Sequence, residues 1–489
     1  MTRTKVLATL GPATSDVDTL LDLFKAGADL VRLNFSHGTL DDHLQILRNV
    51  REAAARHDRP VAVLGDLCGP KIRLGQVRDT DGDDSGVQIN VGDTLILQRQ
   101  DILGDREDDN TIRASCTYPQ LIDDIHVGHR VLIEDGLLRF ICIDQSANAL
   151  HLQCNVGGRL KSRKGINLPA TDLNLPSITD YDWQCVEWAI KNELDFLALS
   201  FVRQPNELQQ LREHLQYNNS PIDLVAKIEK GEALEQIDAI IAASDALMIA
   251  RGDLGVEVDV ARVPIIQKDL IRKCQTAGKP VIVATQMLQS MIENASPTRA
   301  EVSDVANAIF DGADAVMLSG ETSVGKFPIG AVHVMNRVAE QTERYLIDNP
   351  ELDTSARPNV RAMRLSNAIA SGVRQLVKEL GPKLVVVYSQ TGDTARIFSK
   401  HRLPVPLVAL SSNHRTLRQM ALHFGTLPIE MPAPPDLRTL VGCIDELLIS
   451  HDLAANGDRT VIVAGASMGT PGAMNGVVVH TVGAKLHDV

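Results

Sequence analysis

Eight short apolar runs rich in β-branched residues, at 5–9, 30–33, 61–64, 196–199, 224–228, 246–250, 281–284 and 315–318, alternate with segments of helical period. Parallel strands joined by helical crossovers produce that alternation, and eight is the number of strands that closes a barrel. The expected fold class is therefore α/β, with a (β/α)8 TIM barrel as its main body. A barrel of ordinary size leaves roughly 200 of the 489 residues to be placed elsewhere, so two or three domains are expected.

Part of that surplus lies in one gap. Between the third and fourth runs stand about 130 residues, opening at Gly69-Pro70 and ending near Gly165-Ile166-Asn167-Leu168-Pro169, which is too long for a loop. Within it, 87–90, 94–98, 130–133 and 138–143 read as strands separated by turns such as Glu134-Asp135-Gly136. After the eighth strand and a helix, a polar, proline-bearing stretch at 349–358 suits a linker. A helix at 361–380 and strands at 384–388, 407–410, 461–464 and 477–481 then read as a second α/β unit. The expected division is a catalytic barrel of residues 1–69 and 167–345, an inserted β-barrel lid of 70–166, and a C-terminal α/β regulatory domain of 346–489. The chain reads as free of internal repeats and low-complexity tracts.

A hydrophobic fraction of 44% with 23% charged residues is that of a packed globular protein, and no apolar run approaches the roughly 20 residues that span a bilayer. No membrane partner is expected. A net charge of -13 argues against a nucleic-acid partner, whose backbone calls for a basic stripe. The seven cysteines are scattered without ligand-like spacing and read as reduced thiols of a cytoplasmic protein.

Function is concentrated at the strand ends. The second run continues into Arg32-Leu33-Asn34-Phe35-Ser36-His37, the third into Asp66, the fifth into Lys227-Ile228-Glu229 and the sixth into Arg251-Gly252-Asp253. The seventh ends in Thr285-Gln286 and the eighth in Ser319-Gly320-Glu321. Any one of these alone fits a solvated loop residue or a structural ion pair; six together, on the face where barrels carry their active sites, make a polar ring. Glu229 and Asp253 suit a hard cation such as Mg2+, or Mn2+ in its place. Lys227 lies two residues before Glu229, so on a strand both side chains point the same way. A lysine beside such carboxylates stabilises negative charge on a transferring phosphoryl group or an enolate. The glycines of 251–255 let backbone N–H groups approach an anion.

Taken together, 9–12, 32–38, 227–229, 250–255, 284–288 and 317–322 closely resemble pyruvate kinases, and the likeness covers nearly the whole chain. The resemblance implies phosphoryl transfer from phosphoenolpyruvate to ADP, the last step of glycolysis, in a homotetramer. It gives Lys227 the stabilisation of the transition state, Glu229 and Asp253 the magnesium, and Arg32 the substrate phosphate. Arg251, the backbone at Gly252 and Asp253, and the Thr285 hydroxyl would hold the substrate carboxylate. Thr285 and Ser319 would serve the protonation of the enolate. Asn34, His37, Arg73 and Lys164 would lie near the nucleotide, with Arg73 also among the catalytic residues, and the insert would close as a lid.

Two departures stand out. Lys71 occupies a place where potassium-requiring members usually have a glutamate, and Leu67 one where they often have a hydroxyl. Asn34, Ser36 and Asp66 of that monovalent-cation pocket remain. An ammonium can supply the missing positive charge, so activity without added K+ is expected. The stretch Ser389-Gln390-Thr391-Gly392-Asp393-Thr394 stands where related enzymes cradle a sugar phosphate. Ser389, Thr391, Gly392 and Thr394 favour an anion at a helix start, whereas Asp393 replaces a residue that is often basic. A phosphorylated sugar or nucleotide effector is expected there, with the 465–475 loop as the other half. Rival readings are a metal-dependent lyase or aldolase acting on pyruvate and a catalytically silent phosphometabolite sensor. The nucleotide-side residues weigh against the first and the intact Lys227, Glu229, Asp253 and Thr285 against the second.

Overall fold

The computed structural model describes residues 2–78, 86–169, 171, 175–353, 355–360, 363–465 and 474–484. All eight expected runs are strands: Lys5–Thr9, Leu30–Asn34, Ala62–Asp66, Phe196–Leu199, Asp223–Ile228, Ala246–Ala250, Val281–Ala284 and Ala315–Leu318. They pair in parallel in chain order, and the first closes on the eighth with Lys5 opposite Ala315. Such strands are buried on both faces, which is why they read as continuous apolar runs rather than alternating ones. Leu7, Leu64, Met248, Ile282 and Met317 fill the barrel, and a second shell that includes Val31, Val63 and Ile249 packs against the surrounding helices.

The insert forms a seven-stranded sheet and a two-stranded ribbon around one core that includes Phe140, Leu150 and Leu152. Single bridges from Arg73 to Gly165 and from Leu74 to Cys116 join the two sides of the long sheet, giving it a barrel-like closure. The expected strands at 87–90, 94–98, 130–133 and 138–143 are present, and sequence reading missed Asp105–Asp108, Thr111–Ser115, Ala149–Val156 and Gly158–Leu160. Polar residues on the exposed faces of these strands leave too few apolar positions to mark them.

In the C-terminal unit a five-stranded sheet runs in the order Thr426–Glu430, Leu407–Ser411, Leu384–Tyr388, Arg459–Gly465, Met474–Thr481, with the last strand antiparallel. The strand at 426–430 escaped prediction because Pro428 interrupts it; as the sheet's edge it can tolerate a missing N–H. The preceding helix spans Arg364–Leu380, while residues 361 and 362 of the expected helix lie outside the described residues.

One hydrogen-bond arrangement recurs at four strand starts. Asp29, Asp195, Asp245 and Asp314 each immediately precede or open the approach to an even-numbered barrel strand. Each donates its backbone N–H to the carbonyl of Val6, Val63, Leu224 or Val281 on the strand before, at 2.8–3.1 Å. Each then accepts that same residue's N–H on its Oδ2, at 2.8–2.9 Å. The strand starts are thereby tied in four pairs. Each carboxylate also has a cation: Lys5 for Asp29, Arg418 for Asp195, Arg212 for Asp245 and Lys400 for Asp314. Arg418 and Lys400 belong to the C-terminal unit, and Lys5 reaches across to the carbonyl of Thr426 at 2.8 Å. Ala421 and Leu422 plug the barrel from the same side.

Lys400 and Asp314 are both 1% exposed. Removing one member of such a pair strands the other charge, so Lys400→Met is expected to cost about 3 kcal/mol in urea unfolding. Lys400→Met combined with Asp314→Asn should recover part of that loss.

Candidate active site

At the opposite rim the strand ends converge on one buried ammonium. Lys227 Nζ lies 2.6 Å from Ser200 Oγ, 3.1 Å from Asp66 Oδ1 and 3.1 Å from Glu229 Oε1. Asp66 Oδ2 accepts from Arg32 Nε at 2.6 Å, and Arg32 Nη1 donates to Thr9 Oγ1 at 3.1 Å. Strands one to five thus each contribute to a single network. Burial opposes the Lys227 charge, but Asp66 and then Glu229 outweigh it and hold its pKa above the ordinary lysine value. Burial likewise works against the Asp66 carboxylate, and Lys227 and Arg32 overcome it, leaving its pKa below the usual range.

Glu229 behaves differently. Burial raises its pKa most, and the nearby Asp253 and Asp66 add to the rise despite Lys227 and the Phe201 N–H, which donates to its Oε2 at 2.7 Å. The pair Glu229 and Asp253 thus carries negative charge that the protein incompletely neutralises. Two neighbouring carboxylates whose charge is not fully met fit a hard divalent cation that completes its shell with substrate oxygens and water. Among the described residues no three acidic, histidine or cysteine side chains form a cage by themselves.

The sixth and seventh strand ends hold each other. Gly252 N–H donates to Thr285 Oγ1 at 2.8 Å, and that hydroxyl donates to the Ala284 carbonyl at 2.6 Å. Thr285 and Gln286 are consecutive non-glycine residues at φ 70° and 58°, a strain of about 1–3 kcal/mol each that persists only where surroundings impose it. The Arg251 side chain imposes part of it. It turns to Asp304 at 2.6 Å and to the Thr285 carbonyl at 3.0 Å, so it braces the turn. Ser319 N–H donates to the fully buried Glu321, which also takes the Leu288 N–H, linking the last two strand ends.

Lys71 lies just past the turn at Gly69, where φ is +65° and a Cβ would come within 2.8 Å of Phe201. Its ammonium stands 3.9 Å from Asp253 Oδ1. Asp66 of the expected monovalent-cation pocket is taken up by Arg32 and Lys227, Asn34 Oδ1 accepts the Ser36 N–H at 3.3 Å, and Leu67 is buried. His37 is exposed at the rim. Arg73 and Lys164 sit on the insert, the first donating to the Arg163 carbonyl and the second paired with Glu134 at 2.6 Å. Far from this rim, Ser389 Oγ accepts the Ala395 N–H at 3.4 Å, Gly392 at φ +85° opens the helix Asp393–Lys400, and Thr391 and Thr394 flank it. Residues 466–473 of the expected partner loop lie outside the described residues.

Residues 1–332 match the family model described as pyruvate kinase, barrel domain, and residues 367–480 that of pyruvate kinase, alpha/beta domain. The chain belongs to the pyruvate kinase family. A pyruvate kinase of Geobacillus stearothermophilus is 40% identical over 98% of this chain and 80% of its own length. One from Corynebacterium glutamicum is 39% identical over 98% of each. A crystal structure of a pyruvate kinase from Cryptosporidium parvum superposes with a TM-score of 0.88 at 34% identity, covering 98% of this chain and 96% of that one. As a member of the pyruvate kinase family the chain is a phosphotransferase.

Sequence reading missed two hydroxyls of the pyruvate kinase site. Ser200 directly follows the fourth strand and Thr9 ends the first, so both carried the signal used elsewhere, an apolar run ending in a polar group. Ser200→Ala removes one of three groups that fix Lys227. A hydrogen bond to a charged group is worth about 1.5–3 kcal/mol, so kcat is expected to fall roughly tenfold or more. The KM for ADP should stay close to wild type, whereas a general loss of folding would lower active-enzyme content without selective change in kcat per active site.

Proposed function

We propose that this pyruvate kinase family member transfers the phosphoryl group of phosphoenolpyruvate to ADP, giving pyruvate and ATP in the last step of glycolysis. The observation that carries this reading is the Lys227 ammonium, fixed by Asp66, Glu229 and Ser200 at the buried end of the rim. It sits where charge on a transferring phosphoryl group or enolate oxygen needs a preset positive partner. Arg32, with Nε committed to Asp66 and Nη1 to Thr9, presents the rest of its fork to the substrate phosphate.

Mg2+, or Mn2+, held by Glu229 and Asp253 with water and substrate oxygens, would supply the charge that neutralises phosphate and enolate oxygens. The Thr285 hydroxyl, held against the Gly252 N–H at 2.8 Å, orients the substrate carboxylate together with the backbone at Gly252 and Asp253. Arg251 acts through them as a positioning residue. Thr285 and Ser319 serve the proton path to the enolate carbon. Asn34, His37, Arg73 and Lys164 serve the nucleotide, and the insert, bounded at 69/70 and 166/167, works as a lid that excludes water. The C-terminal unit beyond about residue 345 is regulatory, taking a phosphorylated effector at Ser389, Thr391, Gly392 and Thr394, in a cytoplasmic homotetramer.

Potassium independence rests on Lys71. Its ammonium beside Asp253 places a positive charge at the mouth of the site, and the Leu67 side chain offers no oxygen ligand. Pyruvate formation from phosphoenolpyruvate and ADP with magnesium, in sodium-free Tris buffer, is expected to proceed at full rate with or without potassium. Activity only with potassium would sink the Lys71 argument and keep the kinase; no activity in either, with sugar phosphates or AMP added, would sink both. Lys71→Glu should create a potassium requirement, with activity at zero potassium reduced roughly tenfold or more, a barrier change of about 1.4 kcal/mol.

A further inference from the structure

The loop after the fourth barrel strand, residues 200–203, touches both connections to the insert and both charged groups at the centre of the site. The Ser200 hydroxyl accepts from Lys227 at 2.6 Å and donates to the Leu67 carbonyl of the outgoing connection at 2.7 Å. The Phe201 N–H holds Glu229 Oε2 at 2.7 Å, and the Phe201 ring lies beside Gly69. Arg203 reaches the returning connection, where its Nη2 donates to the Leu175 carbonyl at 2.9 Å and to Ser177 Oγ at 3.2 Å. The Glu207 carboxylate, on the helix Pro205–Tyr217, fixes the other side of Arg203 through its Nε at 3.0 Å and its backbone N–H at 2.7 Å.

Closer to the barrel the two connections are already pinned. Asp182 is fully buried and accepts from the Cys68 and Gly69 N–H groups at 2.8 and 3.4 Å, and from the N–H and hydroxyl of Thr179 at 2.9 and 2.6 Å. A displacement of the insert therefore meets the barrel on the insert side of those points, and Leu175 and Ser177 lie there on the returning connection. Packing at this place is incomplete, because a cavity of about 40 Å³ is lined by Ile72, Asn167, Leu168, Leu175, Phe201 and Arg203. Side chains that face a cavity have fewer packing partners on that side, so directed hydrogen bonds carry more of the connection.

Those bonds bear on Phe201. It sits at φ 55°, a left-handed conformation that a non-glycine residue keeps only where its neighbours impose it. The neighbours that follow it are Val202, fully buried in the barrel core, and the doubly anchored Arg203. With Arg203 released the backbone can relax, and the N–H that meets Glu229 turns away with it.

We propose that Arg203 is a positioning residue for Glu229: by gripping the returning connection at Leu175 and Ser177 it holds Phe201 in the conformation that orients the Glu229 carboxylate. Affinity for a divalent cation then depends on how the insert is seated. The proposal rests on the reading of Glu229 as a metal ligand and adds a residue that acts through it.

The test is Mn2+ binding to the full-length protein without substrate, followed by the electron paramagnetic resonance of the free ion. Wild type, Arg203→Met, Ser177→Ala and Glu229→Gln are compared, with the urea midpoint of each recorded alongside. Arg203→Met keeps most of the apolar stem and removes the fork. It is expected to raise the Kd for Mn2+ about tenfold, and Ser177→Ala, which leaves the Leu175 bond, about threefold. A merely structural role would lower the urea midpoint and leave that Kd where it was, so an unchanged Kd in Arg203→Met overturns the proposal. If Arg203→Met fails to fold, an unchanged Kd in Ser177→Ala does the same. Weakening in Arg203→Met that Ser177→Ala does not share overturns the link to the returning connection. Mn2+ binding that Glu229→Gln abolishes sustains the metal reading whatever Arg203→Met does; binding absent from wild type, or unaffected by Glu229→Gln, overturns that reading and the proposal with it.

Discussion

The structure hangs on carboxylates paired with cations, two of them almost wholly buried. At one end of the barrel four aspartates each lock a pair of strand starts through two backbone hydrogen bonds, and each is neutralised by a lysine or arginine. Without its partner a wholly buried carboxylate such as Asp195 or Asp314 is an uncompensated charge. Because two of those partners come from the C-terminal unit, strand pairing and docking of that unit are one electrostatic arrangement. Barrel closure and domain attachment cannot be weakened separately.

The same chemistry recurs at the other end with a different balance. Asp66 has two cations and Lys227 two carboxylates, so both are satisfied and both are held in their charged forms. Glu229, facing Asp253, is not. A barrel whose one rim pairs its four strand-tying aspartates with cations and whose other rim keeps a local surplus of negative charge is held together at the first and receptive to a cation at the second. At the receptive rim Thr285 and Gln286 are held in left-handed conformations by Arg251 and the surrounding strand ends.

Much of this was legible in the sequence. Two-sided burial makes barrel strands continuous apolar runs, and all eight could be read, as could the polar residues that end them. Lys227 and Glu229 were paired by strand geometry alone, and they lie 3.1 Å apart. What failed had physical causes. Ser200 and Thr9 are small hydroxyls whose importance depends on what a distant lysine does. Pro428 hid an edge strand, and the polar faces of the insert diluted its apolar signal. The four aspartates were visible individually, but their equivalence appears only when the strands stand side by side. Arg251 was expected to point at substrate, and nothing in a strand-end motif could reveal that Asp304, 53 residues later, draws it aside.

Lys71 shares its few residues of chain with the Gly69 turn that connects barrel to insert, yet its charge acts on Asp253 of the barrel. Any swing of the insert about that turn carries the ammonium along. Coulomb attraction changes steeply over the first few ångströms in a partly dry site and weakly beyond them. The potential at the mouth is therefore geared to posture: a seated insert sets a positive charge against the carboxylate, and a raised one withdraws it. A resident metal ion has no such linkage, because it stays with its ligands whatever the insert does. The Lys71 charge therefore reports, and responds to, the position of a whole domain.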